Sequence, residues 1–296
     1  MPMSFRDFLI ASKSDLPRPE PMSLWQLQSR RVHDALEPLP MLVGDYDLAW
    51  QEYLQCGGFP RAVFEFLVRG GVSTAYLRVL ERWLVTDVDP GSVPDSVALL
   101  LDAISHRATS PFNATSTARD LGFWSGDQLT RRVRRLVATF AAIECPQRDG
   151  HGFKIGGRTQ AKVYLTDPVL AWLPTRLRAG LPEPRLTTLT EMVIGVSLAV
   201  AIENAQEGRF LVDDTIGYLR TGSGQKVDFA PVSVPSAAGN HLTTPIESKW
   251  VARNWRGEAR VIEGSLGGGV LATRTVLDTS RTSWAIPAPL AALLIR

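Results

Sequence analysis

The sequence predicts an α+β protein of three consecutive domains: a helical segment over residues 1–90, a winged-helix domain over 91–170 and an α/β domain over 180–296. Three observations carry this reading. The chain of 296 residues, 45% of them hydrophobic, is long enough for more than one core. Leu129, Val133, Leu136, Val137 and Phe140 recur at helical spacing in its middle. Near the C-terminus, Lys226-Val227-Asp228-Phe229 and Ile246-Glu247-Ser248-Lys249 read as two strands, each a short apolar-flanked run.

In the helical segment, Gly57-Gly58 stops one helix and Pro60 pre-sets the start of the next. In the middle, residues 97–106 form an apolar helix and 115–121 a second, ended by Gly122. Ser125 is the N-cap candidate for a third helix over 127–140. On it, Arg131 and Arg135 point away from the apolar face, with Arg132 and Arg134 on the flanks. A wing hairpin follows, from strands at 142–147 and 162–165 joined by a turn at 148–152. Asp167-Pro168 reads as a structural turn.

The α/β domain opens on an apolar helix from Leu189 to about Asn204 that carries Glu191. Strands at 210–212 and 217–220, a Gly turn at 221–224 and the two strands already named come next. The polar stretch 231–244 between them reads as a loop-like insertion, and Gly267-Gly268-Gly269 as a bend before a strand at 270–275. Trp250 and Trp255 are candidates for base stacking or for packing, and Asp213-Asp214 for an extra carboxylate or a turn.

Composition narrows the classes. Net charge is +2, so any basic surface is local. Two cysteines, Cys56 and Cys145, are too few for a disulfide framework. No basic-then-apolar leader opens the chain, and the apolar stretch 192–202 is short for a membrane span. The expectation is a cytoplasmic protein without a membrane partner. The four histidines do not cluster, and no Cys/His pair has zinc spacing. No G-x-x-x-x-G-K-[ST] run occurs, so an ATP site of that kind is not expected.

The chemistry concentrates on one pattern. Alternation along a strand projects Glu247 and Lys249 to one face. Pairing of the two strands as a hairpin brings Asp228 close to Glu247. Two carboxylates and an ammonium at one point are the layout that holds a hard cation against a phosphate. The same residues also read as an exposed hairpin with a surface ion pair, worth little in energy.

Residues 185–296 resemble the PD-(D/E)XK nuclease-like C-terminal domain of a bacterial and archaeal family of AAA-type ATPases. The resemblance rests on Leu189-Thr190-Glu191, on Tyr218 through Phe229 against "W/Y-R-T-x-x-G-x-E-V-D-F", and on Ile246-Glu247-Ser248-Lys249 against "I-E-V-K". Lys226 stands where that family has an acid. Upstream, Met3 through Phe8 is similar to "P-M-S-F-R-E-F", and Tyr53 through Ala62 to the lid motif "Y-L-x-x-G-G-F-P-E-V". The resemblance implies a helical lid remnant, a winged helix and a restriction-endonuclease-like domain, without the family's ATPase core. It implies Glu191, Asp228 and Glu247 as ligands of Mg²⁺ or Mn²⁺, the Ser248 carbonyl as a further oxygen, and Glu247 and Lys249 as catalytic residues. Arg131, Arg132, Arg134 and Arg135 would contact DNA phosphates. The expected function is that of a DNA-associated candidate metal-dependent endonuclease, with a separate ATPase subunit as partner. The alternatives at this point are a non-catalytic DNA- or protein-binding regulatory module and a truncated ATPase remnant.

Overall fold

The computed structural model describes residues 2–88, 90, 93–122, 124–155, 161–206 and 215–295. It is a mixed α+β protein. The chain begins with helices α1 (Phe5–Ser12) and α2 (Arg30–Leu36). After a short 3-10 turn come α3 (Val43–Cys56), α4 (Pro60–Arg69), α5 (Thr74–Val88), α6 (Pro94–Arg107), α7 (Ala114–Leu121) and α8 (Gly126–Ala138). Strands β1 (Ala142–Cys145), β2 (Gln147–Arg148) and β3 (Lys162–Leu165) lead into α9 (Pro168–Leu177) and α10 (Leu186–Ala205). Then follow β4 (Tyr218–Arg220), β5 (Lys226–Val227), β6 (Ser233–Ser236), β7 (Gly239–Leu242) and β8 (Ile246–Ser248). The chain closes with α11 (Trp255–Glu258), α12 (Arg260–Leu266), β9 (Val270–Thr273), β10 (Trp284–Pro287) and α13 (Ala288–Leu294).

Contacts divide the chain into two compact units rather than three consecutive segments. One comprises residues 1–4, 52–144 and 160–193; the other comprises 5–51, 145–159 and 194–296. The boundaries cut α3, β1 and α10.

In the first unit α5, α6 and α9 pack together, with α7 and α8 forming a helix-turn-helix beside α5. The local signals do what their chemistry dictates. Asn113 caps α7 by accepting from the Ser116 N–H, and Gly122 ends it at φ +78°. Ser125 and Gln128 form a reciprocal capping box on α8. Leu129, Val133 and Leu136 face inward. Phe140 does not join them: the helix ends two residues earlier, and Phe140 sits at φ +57° with half its surface exposed.

Two expectations change. Strands β1 and β3 pair, but no simple hairpin joins them: β2, between them in sequence, belongs to the second unit and runs parallel to β4 there. Asp167 is more than a turn residue. Its buried carboxylate accepts from Val169 N–H at 2.8 Å, capping α9, and from Gly58 N–H at 2.7 Å. Burial pushes this carboxyl up to about 7 against the pull of the backbone donors of Val169, Gly58 and Phe59.

In the second unit β4 and β5 form an antiparallel hairpin whose turn contains Gly224 at φ +85°. Beyond β5, Phe229 bridges antiparallel to Ile246 at the start of β8. Strands β8, β9 and β10 then run parallel in that order. Parallel neighbours need a long crossover, and α11–α12 supplies it between β8 and β9. The helices bury Trp255, Ala259 and Ile262 against Leu219, Val227, Leu271 and Ala285. Trp255 is thus a packing residue. The expected loop at 231–244 folds into the β6–β7 hairpin instead. The strand expected at 210–212 and the Asp213-Asp214 pair lie outside the described residues.

α10 is longer than the sequence reading allowed. By length and composition it suffices to cross a membrane, and 67% of its most apolar stretch is buried within the protein.

Gly57 tests the Asp167 contact. It sits at φ +73°, and an added Cβ would collide with the Asp167 carboxylate. Gly70 has the same φ with nothing within 4 Å of an added Cβ. Gly70→Ala should therefore cost only the left-handed penalty of about 1–2 kcal/mol. Gly57→Ala should cost about 2–4 kcal/mol by adding the clash. Urea unfolding of both variants measures the difference; equal costs would show that the Asp167 contact contributes nothing.

Candidate functional site

Asp228, Glu247 and Lys249 come together where β5 and β8 part. Phe229 and Ile246 exchange both backbone hydrogen bonds, Phe229 N–H to Ile246 O at 2.9 Å and the reverse at 3.0 Å. Past that bridge the two carboxylates take up backbone donors. Glu247 Oε2 accepts from the Asp228 N–H at 2.8 Å. Asp228 Oδ2 accepts from the Ser248 N–H at 3.0 Å. The arrangement is reciprocal, each acid holding the other strand's backbone. Buried amides left without acceptors cost roughly 1–3 kcal/mol each, so both carboxylates contribute to the fold as well as to any chemistry.

Strand alternation places Glu247 and Lys249 on one face, and Lys249 Nζ lies 3.0 Å from Glu247 Oε1. Register pairs Glu247 with Leu271, whose side chain is in the cluster under α11 and α12. The acid–ammonium pair therefore projects on the helix side of the sheet. Glu258 on α11 approaches Lys249 Nζ at 3.8 Å. The sequence reading missed Glu258, which is separated from Lys249 by the turn into α11 and has no local signal linking the two.

The electrostatics follow from burial. Asp228 and Glu247 are 8% and 3% exposed, while the Lys249 side chain is 34% exposed. Burial, then the neighbouring Asp228 charge, push Glu247 up to about 8 against the pull of Lys249 and of the Asp228 N–H. For Lys249, burial favours the neutral amine, but Glu247, Asp228 and Glu258 outweigh it and raise its pKa. Two adjacent buried carboxylates facing one ammonium are a site short of positive charge.

Glu191 stands in the other unit. It is buried on α10, and its Oε1 takes Lys162 Nζ at 2.8 Å and the Tyr164 hydroxyl at 2.8 Å. Lys162 and Tyr164 are two apart on β3, so alternation carries both to the same face; that spacing was the overlooked sequence signal. Among the described residues no three His, Cys, Asp or Glu side chains group closely enough to hold a metal ion. The Asp228–Glu247 pair still fits Mg²⁺, which binds through one or two carboxylates and keeps waters or substrate phosphates as its other ligands.

On α8, Arg131, Arg134 and Arg135 are exposed. Arg135 donates to the Val88 carbonyl at 3.1 Å. Arg132 is half-buried and stacks over Trp124 at 4.5 Å. Neither Arg131 nor Arg134 forms an ion pair among the described residues. Both cysteines are buried, and neither is in a disulfide among the described residues.

No family model, curated protein or solved structure matches this chain.

The Lys162–Glu191 pair makes a prediction of its own. Lys162→Met should destabilise the protein by about 3–5 kcal/mol by stranding a buried carboxylate. The double variant Lys162→Met/Glu191→Leu should recover most of that loss. Denaturant titration decides; a double variant as unstable as the single one would show that Glu191 is needed for more than pairing with Lys162.

Proposed function

We propose that this chain is a Mg²⁺- or Mn²⁺-dependent phosphodiesterase acting on DNA, with Asp228 and Glu247 holding the ion. The observation that carries the reading is the reciprocal Asp228–Glu247 arrangement with Lys249 Nζ 3.0 Å from Glu247. When bound, the ion supplies the Lewis acidity that activates water and neutralises charge at a scissile phosphate. The Ser248 carbonyl, between Glu247 and Lys249, offers one more hard oxygen. Lys249 keeps part of its side chain in solvent while Asp228 and Glu247 are buried, so its ammonium can meet a phosphoryl oxygen or orient a water. Hard oxygen donors select Mg²⁺ or Mn²⁺ over zinc. On the family resemblance, a separate ATPase subunit is the protein partner.

Cleavage of plasmid and single-stranded DNA with Mn²⁺ tests the chemistry. Asp228→Ala and Lys249→Ala should each lower the rate at least 100-fold. Equal residual cleavage in wild type and both variants would leave the carboxylates only their backbone-holding role.

The exposed guanidiniums of α8 favour DNA contact in the first unit. Arg131→Ala/Arg134→Ala should weaken DNA binding uniformly across sequences and flatten the log-log salt slope by about two units, one per lost phosphate contact. An unchanged slope moves α8 to protein contacts.

Glu247 also predicts a pH dependence. Its folded pKa, about 8, lies above the ordinary carboxylate value of 4.5. The folded chain thus holds a proton that the unfolded chain releases. Without metal, stability falls as pH rises from about 4.5 and levels off above about 8. Asp167 acts in the same sense with its value of about 7, so Glu247→Gln is the comparison that isolates Glu247. Mg²⁺ should raise the melting temperature more at pH 8.5 than at pH 6, and this gain should vanish in Glu247→Gln. An equal gain at both pH values would show that the ion binds elsewhere.

A further inference from the structure

A cleft of about 580 Å³ opens in the second unit between the β4–β5 turn and α12. Its wall includes Arg220 at the end of β4, Thr221 and Ser223 in the turn, and Arg260 and Ser265 on α12. No Asp or Glu lines it. Arg220 and Arg260 are exposed, and neither forms an ion pair among the described residues. The Thr221 and Ser265 hydroxyls donate to the Gln225 and Val261 carbonyls, and Thr221 also bonds Ser223, so the two unneutralised guanidiniums are the donors that face the concavity without an acidic partner. Guanidinium forks match phosphate oxygens in geometry and charge.

The cleft and the carboxylate site are built on neighbouring stretches of the same β4–β5 hairpin and α11–α12 segment, with none of Asp228, Glu247 or Lys249 in the cleft wall. Arg220 pairs in register with Lys226 on β5, two residues before Asp228. Arg260 opens α12, the helix directly after the α11 that carries Glu258, the Lys249 neighbour. At roughly 3.3 Å per extended residue, the three residues from Gln225 in the cleft wall to Asp228 span about 10 Å.

We propose that this cleft binds the sugar-phosphate backbone of a nucleic-acid strand, with Arg220 and Arg260 gripping a phosphate beside the one at Asp228, Glu247 and Lys249. The proposal rests on the reading of the chain as a DNA-processing protein. It assigns these two arginines to substrate positioning, a role distinct from that of the α8 arginines.

The test uses the full chain in EDTA, so that binding is read whether or not the carboxylate pair turns over. Fluorescence anisotropy with a labelled single-stranded oligonucleotide is followed from 50 to 300 mM salt. Arg220→Ala/Arg260→Ala should weaken binding at least 10-fold at 100 mM salt. It should also flatten the log-log slope by about 1.4, two single-strand phosphate contacts at about 0.7 each. Arg220→Lys/Arg260→Lys should keep the slope. Millimolar pyrophosphate should displace the oligonucleotide only weakly, because a strand makes more contacts than a small anion. An unchanged slope in the alanine variant, absence of binding in the wild type, or full displacement by equimolar pyrophosphate would each overturn the assignment. The last would identify a small-anion site instead. Loss of Mn²⁺-dependent cleavage with oligonucleotide binding intact would reject the metal chemistry and leave the cleft standing.

Discussion

The second unit turns on one exchange: Glu247 holds the Asp228 N–H, and Asp228 holds the Ser248 N–H. Ordinary ladder bonds join β5's continuation to β8 only at the Phe229–Ile246 bridge. Side-chain carboxylates replace them where the strands part. This keeps the backbone satisfied while fixing two acids side by side, at the junction of an antiparallel hairpin with a parallel sheet. Buried polar groups demand partners, and here each acid is both a demand and an answer. Their positions are set by the main chain, so they are preorganised rather than assembled by a ligand.

The Lys162–Glu191 and Lys249–Glu247 pairs have different fates. Lys162 is fully enclosed, and its partner Glu191 also receives the Tyr164 hydroxyl. Such a pair fixes a core and has no route to a substrate. Lys249 keeps a third of its side chain in solvent, and its partner Glu247 is crowded by a second carboxylate. That asymmetry singles out the Asp228–Glu247–Lys249 group as the place where an added cation gains most. Charge deficit and solvent access coincide there.

Much of this was legible in the sequence, for identifiable reasons. Capping chemistry is local, so Ser125 and Gly122 behave as their types require. Alternation is equally local, so Glu247 and Lys249 share a face as expected. What failed depended on distant partners. Phe140 matched the helical period of α8, but its backbone left the helix. The polar stretch 231–244 had no apolar alternation to announce the β6–β7 hairpin. The strand β2 left the expected wing for β4, a pairing set by residues some seventy positions away. Glu191 matched a motif position, while its hydrogen bonds go to Lys162 and Tyr164 on a strand the motif does not mention. The Arg220–Arg260 cleft joins a turn to a helix forty residues on, beyond the reach of any spacing rule.

The central claim is that the Asp228–Glu247 exchange is also a seat for a hard cation. The most direct measurement is a crystal of the full chain soaked in Mn²⁺ and recorded at the manganese absorption edge. The account predicts one anomalous peak roughly 2–2.5 Å from a carboxylate oxygen of Asp228 and one of Glu247, with the exchange with the backbone amides retained. A peak bound only by other residues, or none at millimolar Mn²⁺ with that exchange intact, would contradict it.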